Sequence, residues 1–162
     1  IERVHASSSH IEGDEKIALP LLTGAHVPTE RHEECFEGLD ELAKKQHTDI
    51  PVSIDALSGT IDALPQLKLS TVGDKQKVFR LLTAYATLVN KCDGMFIAAG
   101  GEGRLKAHVA WTLLEDAEAQ LYEAIRLAFD PFATLNPHVK QKTEVRSLVA
   151  ALRTSYDAAD TL

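Results

Sequence analysis

Apolar residues recur along this chain at intervals of three and four, and no stretch alternates long enough to predict a strand. The spacing predicts a first helix from about Val4 to Leu22. Ala6, His10, Asp14, Ile17 and Leu21 would share one face of it, and Pro20 would kink or end it. Pro28-Thr29-Glu30 opens a second helix running to about Gln46, with His32, Cys35, Phe36, Leu39, Leu42 and Ala43 along one side. The clearest stripe runs from about Asp74 to Ala98 through Val78, Leu81, Leu82, Tyr85, Leu88, Val89, Cys92, Met95 and Phe96, before Gly100, Gly101 and Gly103. A fourth helix is expected over about Arg104–Phe129, stopped by Asp130-Pro131. A last one starts at Asn136-Pro137 and turns Val145, Leu148, Val149, Leu152, Tyr156 and Ala159 inward. Residues 47–73 read as a connector with one or two helical turns. Ile61-Asp62-Ala63-Leu64 echoes Ile54-Asp55-Ala56-Leu57, which permits a short helix between Pro51 and Pro65. The pattern as a whole predicts an all-α fold, an up-and-down bundle of four to five helices forming one domain over residues 1–162.

Charge narrows the classes of function. Lys plus Arg number 17 against 24 Asp plus Glu, a net charge of −7. Such a chain has no basic footprint for a phosphate backbone, so no nucleic-acid partner is expected. Hydrophobic residues make up 44% of the chain, enough for a core and too many for a disordered segment. Ile17–Thr29 is the longest stretch without a formal charge, shorter than the ~20 apolar residues of a membrane span. A soluble protein is expected, with the cytoplasm the favoured compartment. The start at Ile1 suggests processing or an upstream segment. Cys35 and Cys92 make no disulfide framework; two separate buried thiols are the expected reading, and a single bridge stays open.

Several common sites are excluded. The chain has no G-x-S-x-G elbow and no Walker phosphate loop. His32-Glu33-Glu34-Cys35-Phe36 begins like a zincin motif but places Phe36 at the second histidine. Histidine placement is more informative, since five of the seven (His5, His10, His26, His32 and His47) precede residue 48. His10 and Asp14 are four apart, so a helix would project an imidazole and a carboxylate side by side, the spacing a metal ion wants. Taken singly, each histidine reads as an ordinary satisfied side chain.

Together the segments resemble a known pattern. His10-Ile-Glu-Gly-Asp14-Glu15-Lys-Ile-Ala-Leu19-Pro20, followed by Glu30-Arg31-His32, is similar to the H-x-x-x-[DE]-[DE]-x-x-x-[LF]-P signature and following E-H segment of hemerythrin-like domains, over residues 5–46. The resemblance implies a four-helix bundle holding non-haem iron, one or two ions, for oxygen, nitric oxide or redox sensing or for iron handling. His10, Asp14, Glu15 and His32 would be its ligands, with His108 a further candidate. That family's first helix, with another histidine, would lie upstream of Ile1. On the 104–129 helix, His108, Thr112, Glu115 and Arg126 form the least apolar stripe, the expected solvated face opposite Leu114, Leu121 and Ile125.

A second reading stands beside the metal centre: a metal-free helical interaction module or subunit of a larger assembly, with a protein partner or a second copy. The broad apolar arc of the 104–129 helix favours it, with Trp111 as a contact anchor. An enzyme using His10 and Asp14 as an acid–base pair has the least support.

Overall fold

The computed structural model describes residues 16–137, 139 and 141–152. It is a mixed α/β fold, which corrects the expectation of an all-α, up-and-down four-helix bundle. Two small antiparallel sheets take up the described end of the first expected helix, from residue 16 on, and the connector. In the first, β1 (Ile17–Ala18) pairs with β5 (Gln66–Leu67), Ile17 opposite Leu67. In the second, β2 (Leu22–His26) and β3 (Val52–Asp55) flank a central β4 (Thr60–Ala63).

Local chemistry explains the strands. Pro20 and Gly24 are poor helix residues, and Gly24 sits at a bulge in β2 with φ +75°. Its amide donates to Asp62 Oδ1 at 2.7 Å, and its carbonyl accepts from the amides of Ala98 and Ala99. A Cβ there would come within 2.2 Å of the Ala99 carbonyl oxygen, so only glycine fits. The repeated Ile-Asp-Ala-Leu is a hairpin rather than a helix: Ile54 pairs with Ile61 across β3 and β4. Asp55 closes its turn by accepting from the Leu57 amide at 3.0 Å and the Ser58 hydroxyl at 2.8 Å. Those hydrogen bonds hold the Asp55 carboxyl below its ordinary range.

Helices supply the other layer. A 3-10 turn over Thr29–Arg31 leads into α1 (His32–Gln46), close to the expected bounds. Glu33 and Glu34 begin it and Lys44 and Lys45 end it, as the helix dipole favours. α2 (Val72–Lys91) opens with a capping box in which Thr71 and Asp74 exchange side-chain and backbone hydrogen bonds. It stops at Cys92, short of the expected Ala98, because Asp93 turns left-handed at φ 55°. The loop beyond it bonds to β2, Met95 and His26 exchanging both backbone hydrogen bonds at 2.8 and 2.9 Å. The helix expected over 104–129 is two: α3 (Gly103–Thr112) and α4 (Asp116–Phe129). The helix expected from Asn136-Pro137 starts only at Val145: α5 spans Val145–Ala151 and ends at an extended Leu152, while Tyr156 and Ala159 lie outside the described residues.

One core joins these layers. β2 contributes Leu22 and Ala25, β4 contributes Ile61 and Ala63, and α1 contributes Cys35, Leu39 and Leu42. α2 adds Val78, Phe79, Leu81, Leu82, Tyr85, Ala86 and Val89, while Val109 of α3 and Leu148 of α5 close one side. The fold therefore centres on α2, with α4 outside this core.

Candidate functional site

The expected metal ligands divide into two groups. His10, Asp14 and Glu15 lie outside the described residues. His32 is half-buried at the start of α1, with Nε2 2.9 Å from the Val27 carbonyl and its ring against Phe36 at 5.8 Å. His108 is half-buried on α3, with Nδ1 2.9 Å from the Thr143 carbonyl. Each ring thus has a backbone carbonyl as its partner, on a different part of the fold. Among the described residues no group of three or more His, Cys, Asp or Glu side chains could hold a metal ion. The four-helix bundle is corrected, since sheets pack around α1 and α2 where its helical cage was expected.

The most unusual surface is α4. None of its residues is buried, although it carries Leu121, Tyr122, Ile125, Leu127 and Phe129. Leu121 is 60% exposed, Ile125 51% and Phe129 82%, and the apolar run continues past the helix in Phe132 and Leu135. The expected polarity of this segment holds only around the break, where Thr112 and Glu115 are exposed and Leu114 is half-buried; Leu121 and Ile125 face solvent, while His108 and Arg126 are half-buried. The break between α3 and α4 explains the difference. Glu118 Oε2 accepts from the Glu115 amide at 3.0 Å, starting a new helix whose axis is free of the register of α3.

Beside this helix lies an open pocket of about 480 Å³. Met95 and Phe96 from the loop after α2, Trp111 and Leu114 from the end of α3, and Glu118 and Tyr122 of α4 form its walls. Met95 is 61% exposed because α2 ends before reaching it. Apolar side chains line the pocket together with Glu102 and Glu118, so it suits an apolar side chain next to a cation.

Lys106 anchors α3 behind the pocket. This lysine is buried, with its ammonium donating to the Thr23 carbonyl and lying 5.6 Å from the Phe96 ring centroid. Burial lowers its pKa, and attraction to Asp62 works against that shift. Nothing in the sequence pattern marks it: one Lys among Leu105, Ala107 and Val109 reads as a surface position. Trp111, by contrast, stood out in the sequence as the single tryptophan, and it lines this pocket.

No helix among the described residues is long and apolar enough to cross a membrane. Comparison with protein families, curated proteins and solved structures finds no match to this chain.

Proposed function

We propose that this chain is a protein-interaction module whose α4 docks a basic, amphipathic segment of a partner protein. The observation that carries this reading is a 14-residue helix with five large apolar side chains and no buried residue. Helices shorter than ~12–15 residues are marginal in water without tertiary packing, and α4 is at that limit. Monomeric proteins rarely leave so continuous an apolar strip uncovered.

Charge selects the kind of partner. Asp116, Glu118 and Glu123 flank the strip, Arg126 is half-buried 3.9 Å from Glu123, and the chain carries −7 overall. A partner with basic residues beside its own apolar stripe is attracted to this surface, and a second copy of the acidic chain is repelled. An apolar anchor of the partner would enter the pocket against Trp111 and Tyr122, as buried anchors do in helix-in-groove recognition.

Trp111 is the only tryptophan and reports the event directly. A synthetic basic amphipathic helix titrated into the protein should shift its emission to the blue, saturably and less strongly at high salt. Ile125→Asp should abolish the shift while leaving the fold intact. An unchanged spectrum with the basic peptide, or an equal response to its acidic counterpart, overturns the reading. A blue shift that grows with protein concentration alone would assign α4 to self-pairing instead.

A further inference from the structure

Cys35 and Cys92 are far apart in sequence and meet in the fold. Cys35 lies in the first turn of α1 and Cys92 caps the end of α2. Both are fully buried free thiols, near enough that each acts on the other's proton. The helices that carry them run closely together. A Cβ at Gly38, one turn beyond Cys35, would come within 2.3 Å of a Leu88 methyl, one turn before Cys92. A disulfide needs Cα atoms about 4.4–6.8 Å apart, a separation that only closely packed helices such as these can offer. An ion cluster straddles the same seam: Arg31 meets Glu34 at 2.9 Å and Asp93 at 3.7 Å, and Lys91 meets Glu34 at 3.4 Å. Arg31 also donates to the Lys91 carbonyl at 3.0 Å, tying the 3-10 turn to the end of α2.

We infer that Cys35 and Cys92 form an intrachain disulfide joining the start of α1 to the end of α2, made by exchange with a small-molecule disulfide such as oxidised glutathione. The chemistry runs in two balanced steps. One cysteine loses its proton and its thiolate attacks a sulfur of oxidised glutathione, forming a mixed disulfide and releasing one glutathione thiolate. The second cysteine, deprotonated in turn, attacks the protein sulfur of that mixed disulfide. The protein disulfide forms, a second glutathione leaves, and each thiolate released takes up one proton. Two protein thiols are oxidised and one glutathione disulfide is reduced.

The order of attack follows from the surroundings. Burial and the neighbouring Cys92 push the Cys35 thiol up to about 12. Burial and the Glu34 carboxylate also raise Cys92, while Cys35, Arg31 and Lys91 work against that rise. With the seam open that burial is relieved, and Lys91, next to Cys92 in the chain, still favours the Cys92 thiolate while Glu34 adjoins Cys35, so Cys92 is the first nucleophile and Cys35 the resolving one. Both are sealed in the closed core, so exchange takes place while the seam between α1 and α2 is open, during folding or local unfolding. Once made, the bond is closed off from reductant.

The test is refolding of the full chain in a glutathione redox buffer, followed by alkylation under denaturing conditions and intact-mass measurement. The expected species has lost two hydrogens and carries no alkyl group. Its thermal midpoint should lie several degrees above that of the reduced protein, a shift that Cys92→Ala removes. Cys35→Ala, which keeps the first nucleophile, should accumulate the mixed disulfide at Cys92. Two alkylated thiols in wild type, persistent double glutathionylation or an intermolecular dimer would each overturn the proposal. Because the mass measurement is made on the wild-type chain, the conclusion survives if a variant fails to fold.

Discussion

α2 and α4 are written in the same code and reach opposite ends. Both are amphipathic, and both begin where an acidic side chain three residues in accepts from the N-cap amide, Asp74 in one and Glu118 in the other. α2 buries seven residues and is the centre of the core; α4 buries none. An apolar stripe therefore states that a helix needs cover, without stating who supplies it. For α2 the cover is α1, β2, α3 and α5. For α4 it has to come from outside the described fold, and that is why the interaction reading rests on this helix.

The comparison is broken most directly by truncating one apolar side chain on each helix. Leu82→Ala in α2 removes a side chain with no exposed surface, and should cost about 3 kcal/mol or more in urea unfolding. Ile125→Ala in α4 should change stability by no more than about 0.5 kcal/mol, because its side chain is already half in water. Equal losses at the two sites would mean that α4 belongs to the folding core and would remove the basis of the docking proposal.

How much of this was legible follows from element length. α1 could be read nearly to its ends, since Pro28, the acidic first turn and Lys44-Lys45 mark them, and fifteen residues give the helical period room to show. The strands span two to five residues each, too short for alternation to stand out. Val52-Ser53-Ile54-Asp55 and Thr60-Ile61-Asp62-Ala63 do alternate, but four residues fit a helix face as well, and the repeat between them favoured the wrong period. In β2 the bulge at Gly24 broke the alternation altogether. The site was half legible. Trp111 and the apolar arc around it were visible, whereas their outward orientation depends on the turn at Leu113–Glu115, where α4 restarts independently of α3. The meeting of Cys35 with Cys92 depends on the path of the hairpin between α1 and α2, which helical periodicity does not encode.

The buried acids of α1 and α2 sharpen the contrast through pH. Burial raises the Cys35 thiol from 9.0 to about 12 and raises the Tyr85 phenol as well. The folded state holds these protons more tightly than the unfolded state, so stability is full below pH 9 and is lost as the pH rises toward 12. Lys106 acts the other way: its depressed pKa means that losing its proton favours the folded state as the pH climbs toward 10.5. Two thiols and a phenol outweigh one ammonium, and under reducing conditions the net result is falling stability above pH 9. Tyr85→Phe tests the phenol, whose hydroxyl is buried with no hydrogen-bond partner among the described residues. Deleting it should raise stability by about 1 kcal/mol at neutral pH and flatten the alkaline loss. A loss of stability on this substitution would show that the hydroxyl has a partner, such as a bound water. α4 contains no buried group to titrate, and Trp111 emission should not follow the alkaline curve until the core itself opens.

The finest distinction lies at the two helix starts. Thr71→Ala removes one half of the capping box of α2, including the hydroxyl that accepts from the Asp74 amide at 3.2 Å. Because α2 unfolds only with the core, the cost of about 1 kcal/mol should appear in the global transition and in every probe alike. Glu118→Ala removes the reciprocal half of the box at the start of α4, the carboxylate that accepts from the Glu115 amide at 3.0 Å. No core residue depends on α4, so the global transition should hold still while amide exchange quickens locally from Glu115 through the first turn. With the basic helix bound, that local opening has to lift the partner as well, and exchange at the same amides should slow again. If the Glu118→Ala exchange rates stay at the wild-type level, α4 is held by something other than its own cap. If they rise across α2 too, the two helices form one cooperative unit, and the division between a self-covered and a partner-covered helix fails.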